Sequence, residues 1–402
     1  MKILIVCPNL PYPPDTGAAI RIFNLIKCLS KENEIDLIGF DHGEIVEQSV
    51  LELQTYCKTL HLVHWSKQPI LLQIPKGLSK IVKGVPFYSK YAESDGMAKL
   101  LYEITNKNNY DIIQFEHSYT AGNIKYLHPK NDAKTILATH NICYLQFYRL
   151  QKDEKSLIEK LKNFLTWFPM FFWEPRMAST FDGITVVSEI DKILLSALDQ
   201  RLDISVVPNG VDTKEYNPWP SKEESKNILI VGSLDYKPNI DAVQYFHREI
   251  LPLIRVRIPD CTLTIVGKNP NEEILRLGSD PMIKVKANVD DVRPYYEGAL
   301  VSAVALRSGG GTRLKIIESM ALGIPVVSTS VGCEGLDVTD RHNILIANQP
   351  QDFADKVYEL FLSPQLREGI SRNARKLVEN KYDWAHIARH LQEVYEGMVN
   401  LH

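Results

Sequence analysis

One stretch, RSGGGTRLKIIESMALGIPVVST from Arg307 to Thr329, constrains this chain more than any other. The apolar run Leu300 to Leu306 ahead of it reads as a buried strand, and three successive glycines, Gly309 to Gly311, release the backbone from the limits a Cβ imposes. The spacing then predicts a helix: Thr312 as N-cap, Leu314, Ile317, Met320 and Ala321 on one face, and Gly323 with Pro325 to stop it before a strand from Val326 to Thr329. A strand, glycine loop, helix and strand in that order aim backbone N–H groups and the positive end of the helix dipole at one spot, where a phosphate is the natural guest. Arg313 and Lys315 place two cations in the first turn, where the dipole disfavours each by roughly 0.3–1 kcal/mol. A bound anion removes that conflict. The competing reading is a structural glycine turn with both cations solvated, since a glycine-rich loop alone is weak evidence.

The same alternation runs through the rest of the chain. Lys2 to Pro8 is an apolar run of the kind that is buried on both faces, followed by a loop with Thr16 and Gly17 and a helix from about Ala18 to Ser30. Further strands are predicted at Glu34 to Phe40, Thr59 to His64, Asp111 to His117, Lys134 to Asn141, Gly183 to Ser188 and Ile204 to Pro208. The pattern breaks into turn formers over Val206 to Pro220 and restarts at Asn227, with strands at Cys261 to Gly267, Ile283 to Ala287, Leu300 to Leu306, Val326 to Thr329 and Ile344 to Ala347. Two doubly wound α/β domains with parallel sheets follow from this order. From Asp352 onward the pattern is helical.

At 402 residues the chain has room for both cores, and a net charge of −3 argues against a nucleic-acid partner. The six cysteines are scattered without ligand spacing, which fits a reducing compartment and no zinc site. MKILIVCPNLPYPPDTG reads as a first strand and not a signal peptide, and no stretch is long enough to span a membrane. The aromatic run Phe164 to Trp173 is expected either to pack as a buried or domain-packing helix or to make a peripheral membrane contact.

Open α/β sheets bind ligands beyond the C-terminal ends of their strands, which in the first domain supply Gly17, Glu116, His117, His140 and Asn141. Asp290 and Asp291 are better read as acids at a helix start than as metal ligands.

The phrase ESMALGIPVV containing Glu318, preceded by GGGTRLK, resembles the donor-site signature of retaining glycosyltransferases of the GT-B fold, in glycosyltransferase family 4. Gly310 stands where that signature has its first acidic residue, so only Glu318 is carried over. ILATHN resembles the family's strand ending in a histidine beside the reacting sugar, and VVPNGVD its hinge phrase. GSLDYKPN falls where relatives carry an Arg and a Lys for the donor diphosphate, with Ser233 in place of the arginine and Lys237 displaced. The resemblance implies two Rossmann-like domains facing a cleft: 1–205 on the acceptor side, 206–382 on the donor side, and 383–402 as a helix returning to the first.

The expected catalytic residues are His140, Arg313 and Lys315. The donor-binding residues are Gly17, Lys237, Gly310, Gly311, Thr312 and Glu318, with Glu318 on the ribose. The donor is a nucleotide diphosphate sugar, with no separate cofactor and no metal; the acceptor is a glycan, a lipid-linked molecule or a small molecule, met in the cytoplasm or at the inner face of the membrane. A scaffold that binds nucleotide sugar without turnover, and a sugar-nucleotide epimerase, are the alternatives.

Overall fold

Apolar runs without polar alternation cannot face water on either side, so they enter parallel sheets covered by helices on both faces. The computed structural model describes residues 1–41, 47–64, 94–153, 156–218, 225–310 and 313–400 and contains two such sheets, one in each of two compact units. The first unit is Met1–Pro208 with the chain from Ile387 onward, and the second is Asn209–His386.

The first sheet contains β1 (Lys2–Val6), β2 (Glu34–Asp41), β3 (Thr59–His64), β4 (Ile112–Glu116), β5 (Lys134–Ala138), β6 (Gly183–Val186) and β7 (Ile204–Val206), in the spatial order β3-β2-β1-β4-β5-β6-β7. Every pairing is parallel. Helix α1 (Gly17–Leu29) is capped by Thr16, whose Oγ1 accepts from the Ala19 N–H at 3.2 Å, and buries Ile22, Leu25, Ile26 and Leu29. After β5 come α2 (Cys143–Asp153) and the long α3 (Leu157–Ala178).

Helix α3 divides between the two expectations for the aromatic run, packing one face and exposing the other. Met170, Trp173, Glu174 and Ala178 face the core, while Leu157, Ile158, Leu161, Phe164, Leu165, Phe168 and Phe172 lie exposed. Phe164, Phe168 and Phe172 form a ladder along that outer face, with ring centroids 5.4 Å apart at each step. Three- and four-residue spacing puts them on one side of the helix. Among the described residues no helix is long and apolar enough to cross a membrane.

The second sheet contains β8 (Asn227–Val231), β9 (Thr262–Gly267), β10 (Ile283–Ala287), β11 (Val301–Val304), β12 (Val326–Ser328) and β13 (Leu345–Ile346), in the order β10-β9-β8-β11-β12-β13. Its pairings too are all parallel. Helix α4 (Lys237–Tyr245) follows β8, and α5 (Leu314–Ala321) joins β11 to β12. The C-terminal region is divided among helices Pro350–Leu362, Pro364–Leu377 and α6 (Trp384–Val399), so it is not one continuous helix. Tyr395 of α6 is fully buried in the first unit.

In each unit the strand order runs outward from the first strand and then reverses, at β1/β4 and at β8/β11. The crevice beyond the carboxyl ends at such a reversal is where a doubly wound sheet holds its ligand.

Candidate active site

At the β8/β11 reversal, the turn after β8 meets the glycine loop after β11. Gly309 has φ +114°, a conformation open to glycine, and a Cβ there would stand 2.9 Å from Arg313 Nη2. Arg313 is buried, and its Nη1 donates back to the carbonyl of Gly310. The expected cap is corrected here: the residue preceding the first helical turn is Arg313 and not Thr312, and its side chain closes the loop where a hydroxyl would have capped the helix. Gly311 and Thr312 lie outside the described residues. A Cβ on Gly310 would meet no described atom within 4 Å, so packing does not impose the lack of a side chain there.

Lys315 reaches from the first turn of α5 to the end of β8. Its Nζ donates to Asn239 Oδ1 at 2.9 Å and lies 2.7 Å from where a Cβ on Gly232 would stand, so Gly232 makes room for the ammonium. Asn239 is itself fixed through Nδ2 to the carbonyl of Ser233, 2.8 Å away. Lys315 and Glu318 are half-buried as residues, but their charged ends are enclosed. Burial, then the charge of Arg313, pushes Lys315 down to about 7, against the pull of Glu318. Burial also raises Glu318 to about 7, against a hydrogen bond from Tyr296 OH at 3.4 Å and the charge of Lys315.

The loop and helix are held from both sides. Arg307 pairs with Asp241 (Nε to Oδ2, 3.0 Å) and lies over the Tyr245 ring at 4.5 Å, which ties the start of the loop to α4. Ser319 Oγ lies 2.9 Å from Ser302 Oγ, which ties α5 to β11. Lys237, also expected here, opens α4 and is exposed. Asp291 Oδ1 accepts from the Arg293 N–H at 2.9 Å, in keeping with a role at a helix start. No group of three or more His, Cys, Asp or Glu side chains placed to hold a metal occurs among the described residues.

The pKa values have a consequence for anion binding. Above pH 7 the free site loses the Lys315 charge and gains that of Glu318, so a diphosphate must bring a proton to each. Affinity for a nucleoside diphosphate is therefore expected to fall above pH 7, by up to about tenfold per pH unit for each of the two protons taken up. Titration calorimetry between pH 6 and 9 checks this, and a Lys315→Met variant should flatten the profile. An affinity that rises with pH is incompatible with these assignments.

At the β1/β4 reversal of the first unit stands a second buried polar cluster. β4 ends at Glu116, and His117 turns the chain sharply at φ +66°. His140, just past β5, places Nε2 2.6 Å from Glu116 Oε2, and its ring centroid lies 3.8 Å from that of His117. Gln114 Nε2 donates to Glu116 Oε1 at 2.6 Å, and Tyr395 OH donates to Gln114 Oε1 at 2.5 Å. Burial and the charge of Arg21 hold His140 well below its ordinary value, so its ring is neutral. Arg21, fully buried on α1, is lowered by burial to about 10 and stays charged, and its Nη1 donates to the carbonyl of Pro208 at 2.7 Å. Gly17, at the start of the same helix, is exposed. Burial raises Glu116, against Arg21 and the hydrogen bond from Gln114.

Glu174 of α3 is equally buried. It accepts from Ser118 Oγ (2.8 Å) and from the Cys143 and Tyr144 N–H groups (3.1 and 3.2 Å), so it caps α2 and sets the turn that carries His140. Sequence reasoning does not reach Arg21, Gln114, Glu174, Asn239 or Tyr395. A charge on the apolar stripe of α1 is the available signal for Arg21, and Glu174 sits similarly within an apolar run.

Two parallel-sheet Rossmann-like units with loops gathered at both reversals define the GT-B class. Sucrose-phosphate synthase from Thermosynechococcus elongatus has the same fold, with a TM-score of 0.73 over 99% of each chain at 16% identity. Anabaena HepE, solved in complex with UDP-glucose, matches with a TM-score of 0.67 over 99% of this chain and 100% of that one, at 15% identity. Residues 16–215 match the family described as Glycosyltransferase Family 4, and residues 225–363 that described as Glycosyl transferases group 1. An uncharacterized glycosyltransferase of Methanocaldococcus jannaschii is 30% identical across 99% of both chains. The capsular polysaccharide biosynthesis glycosyltransferase CapM of Staphylococcus aureus is 24% identical over 83% of this chain and 72% of its own. The chain belongs to the glycosyltransferases.

Proposed function

We propose that this glycosyltransferase moves a sugar from a nucleotide diphosphate sugar to an acceptor hydroxyl, with retention at the anomeric carbon, in polysaccharide or glycoconjugate synthesis. The observation that carries the reading is the enclosed Lys315, seated over Gly232 and within the field of Arg313 at the opening of α5. Charge grows on the β-phosphate as the sugar leaves, and fixed cations in a site shielded from water stabilise it without reorganising. In this reading Arg313, Lys315 and the amides of Gly310 and Gly311 hold the diphosphate, Lys237 and Gly17 assist, and Glu318 holds the ribose. His140 contacts the sugar. Support comes from the match to family 4, from a structural neighbour solved with UDP-glucose and from a relative in capsular polysaccharide biosynthesis.

Thermal stabilisation by UDP-, GDP- and ADP-sugars selects the donor. Nucleotide release that requires an added acceptor, with the product anomer matching the donor by NMR, is the expected result. Release without acceptor would instead point to an epimerase or hydrolase, and binding without release to a scaffold.

The exposed face of α3 supports an acceptor at a lipid surface. Each aromatic side chain withdrawn from water contributes roughly 1.5–3 kcal/mol when fully buried, so the exposed parts of three rings suffice for peripheral binding. Replacing Phe164, Phe168 and Phe172 together by serine is expected to lower co-sedimentation with phosphatidylglycerol-containing vesicles by more than about tenfold. Their exposure in the fold predicts little change in melting temperature. Undiminished sedimentation would remove the lipid reading and leave donor binding untouched.

A further inference from the structure

The buried cluster around His140 has a direction written into its hydrogen bonds. Gln114, Glu116, His140 and Tyr395 are all buried, and they form one chain: Tyr395 OH to Gln114 Oε1, Gln114 Nε2 to Glu116 Oε1, Glu116 Oε2 to His140 Nε2. A carboxylate only accepts. Gln114 must therefore turn its NH₂ toward Glu116, Tyr395 must donate into the remaining Gln114 oxygen, and His140 must carry its proton on Nε2. Nδ1 is then a bare acceptor, and it is buried with no hydrogen-bond partner among the described residues.

The opposite assignment, a protonated Glu116 donating to Nε2, would remove the negative charge that Glu116 sets against the buried Arg21. Burial raises Glu116 while Arg21 and the Gln114 hydrogen bond pull it back, and with both histidines held neutral an ionised Glu116 is the group that offsets the Arg21 charge. Cys7 and Tyr395, the other titratable groups packed here, are both held neutral by burial.

We propose that Glu116 is a positioning residue: oriented by Gln114 and Tyr395, it fixes the Nε2–H tautomer of His140, so that Nδ1 accepts a hydrogen bond from a hydroxyl of the ligand and disfavours a phosphate oxygen. This rests on the reading of His140 as a sugar contact, and it deepens that reading by assigning the contact to a hydroxyl. A lone pair attracts a hydroxyl hydrogen, whereas a phosphate oxygen brings only more lone pairs.

The substitution Glu116→Gln tests the relay with little change of shape. Gln114 still donates to the oxygen at position 116, so the introduced amide nitrogen faces His140 Nε2, which must become the acceptor. The proton moves to Nδ1. Nitrogen NMR of ¹⁵N-histidine-labelled protein is expected to show Nε2 protonated and Nδ1 bare in the wild type, and the reverse in Glu116→Gln. With whichever of UDP-glucose, GDP-mannose and ADP-glucose stabilises the protein most, the variant is expected to lose about tenfold in kcat/KM. Affinity for the matching free diphosphate should stay within about twofold of wild type, because a hydroxyl contact contributes nothing to it.

A wild-type ring protonated on Nδ1, a measurement that does not depend on the variant folding, overturns the inference. So does a tautomer unchanged by Glu116→Gln, or a gain in free-diphosphate affinity. A reversed tautomer with undiminished transfer overturns instead the reading of His140 as a sugar contact.

Discussion

Arg313→Ala is expected to lower kcat/KM for sugar transfer by about 10²–10³, the effect of removing one preorganised donor from a developing oxyanion. Two losses combine in that number. The guanidinium supplies charge at the start of α5, and its bond to the Gly310 carbonyl also holds the glycine loop in shape. The second loss should appear separately as a lower melting temperature, by roughly 2–4 °C for each kcal/mol of loop packing removed. Arg313→Lys distinguishes the two. It keeps a cation but not the planar fork that reaches the carbonyl and a phosphate together, so it should recover part of the nucleotide affinity and little of the loop stability. Normal transfer with normal nucleotide affinity in Arg313→Ala would show that the diphosphate does not sit there.

The second large effect is expected at a glycine outside the signature. A Cβ on Gly267, at the end of β9, would stand 1.8 Å from the Gly232 carbonyl oxygen and 2.9 Å from Leu234 Cγ. Backbone atoms cannot yield as a flexible side chain does, so the turn after β8 must move. That turn is held by Gly232 N–H to the Val266 carbonyl (3.1 Å) and Leu234 N–H to the Lys268 carbonyl (2.7 Å), and it carries Gly232 beneath the Lys315 ammonium. Gly267→Ala is expected to cost about 3 kcal/mol or more of stability, at the upper end of overpacking effects. Nucleotide affinity should fall by more than about tenfold, since the seat of Lys315 is displaced. Gly369→Ala is the control, because its Cβ would meet nothing within 4 Å inside the helix Pro364–Leu377 and should be neutral or slightly stabilising. Wild-type melting and binding in Gly267→Ala would mean that the turn tolerates displacement and that its geometry does not govern the site.

Both sheets were legible in the chain because strands buried on two faces leave unbroken apolar runs, and those at Lys2, Asn227 and Leu300 could be read directly. Strand ends were less legible: Ile204 to Pro208 shortens to Ile204–Val206, and Ile344 to Ala347 to Leu345–Ile346. The signature segment pointed to Arg313 and Lys315 because its cations sit against a helix dipole, a conflict visible locally, and to Glu318 through its resemblance to the donor-site signature. Asn239 left no such mark. It lies 76 residues from Lys315 and meets it only because the sheet order places β8 beside β11. The Tyr395 to Gln114 bond spans 281 residues and depends on α6 packing into the first unit. The aromatic run shows a finer limit. Its composition suggested burial, but the four-residue repeat of Phe164, Phe168 and Phe172, set against Met170 and Trp173, decides which rings face out.

The most direct measurement is a crystal structure with the nucleoside diphosphate of the selected donor bound. A β-phosphate oxygen within about 3.2 Å of Lys315 Nζ, with the Arg313 guanidinium turned toward the same phosphate, is the arrangement expected. A diphosphate bound elsewhere, with Lys315 still donating only to Asn239 and Arg313 still closed onto Gly310, would contradict it.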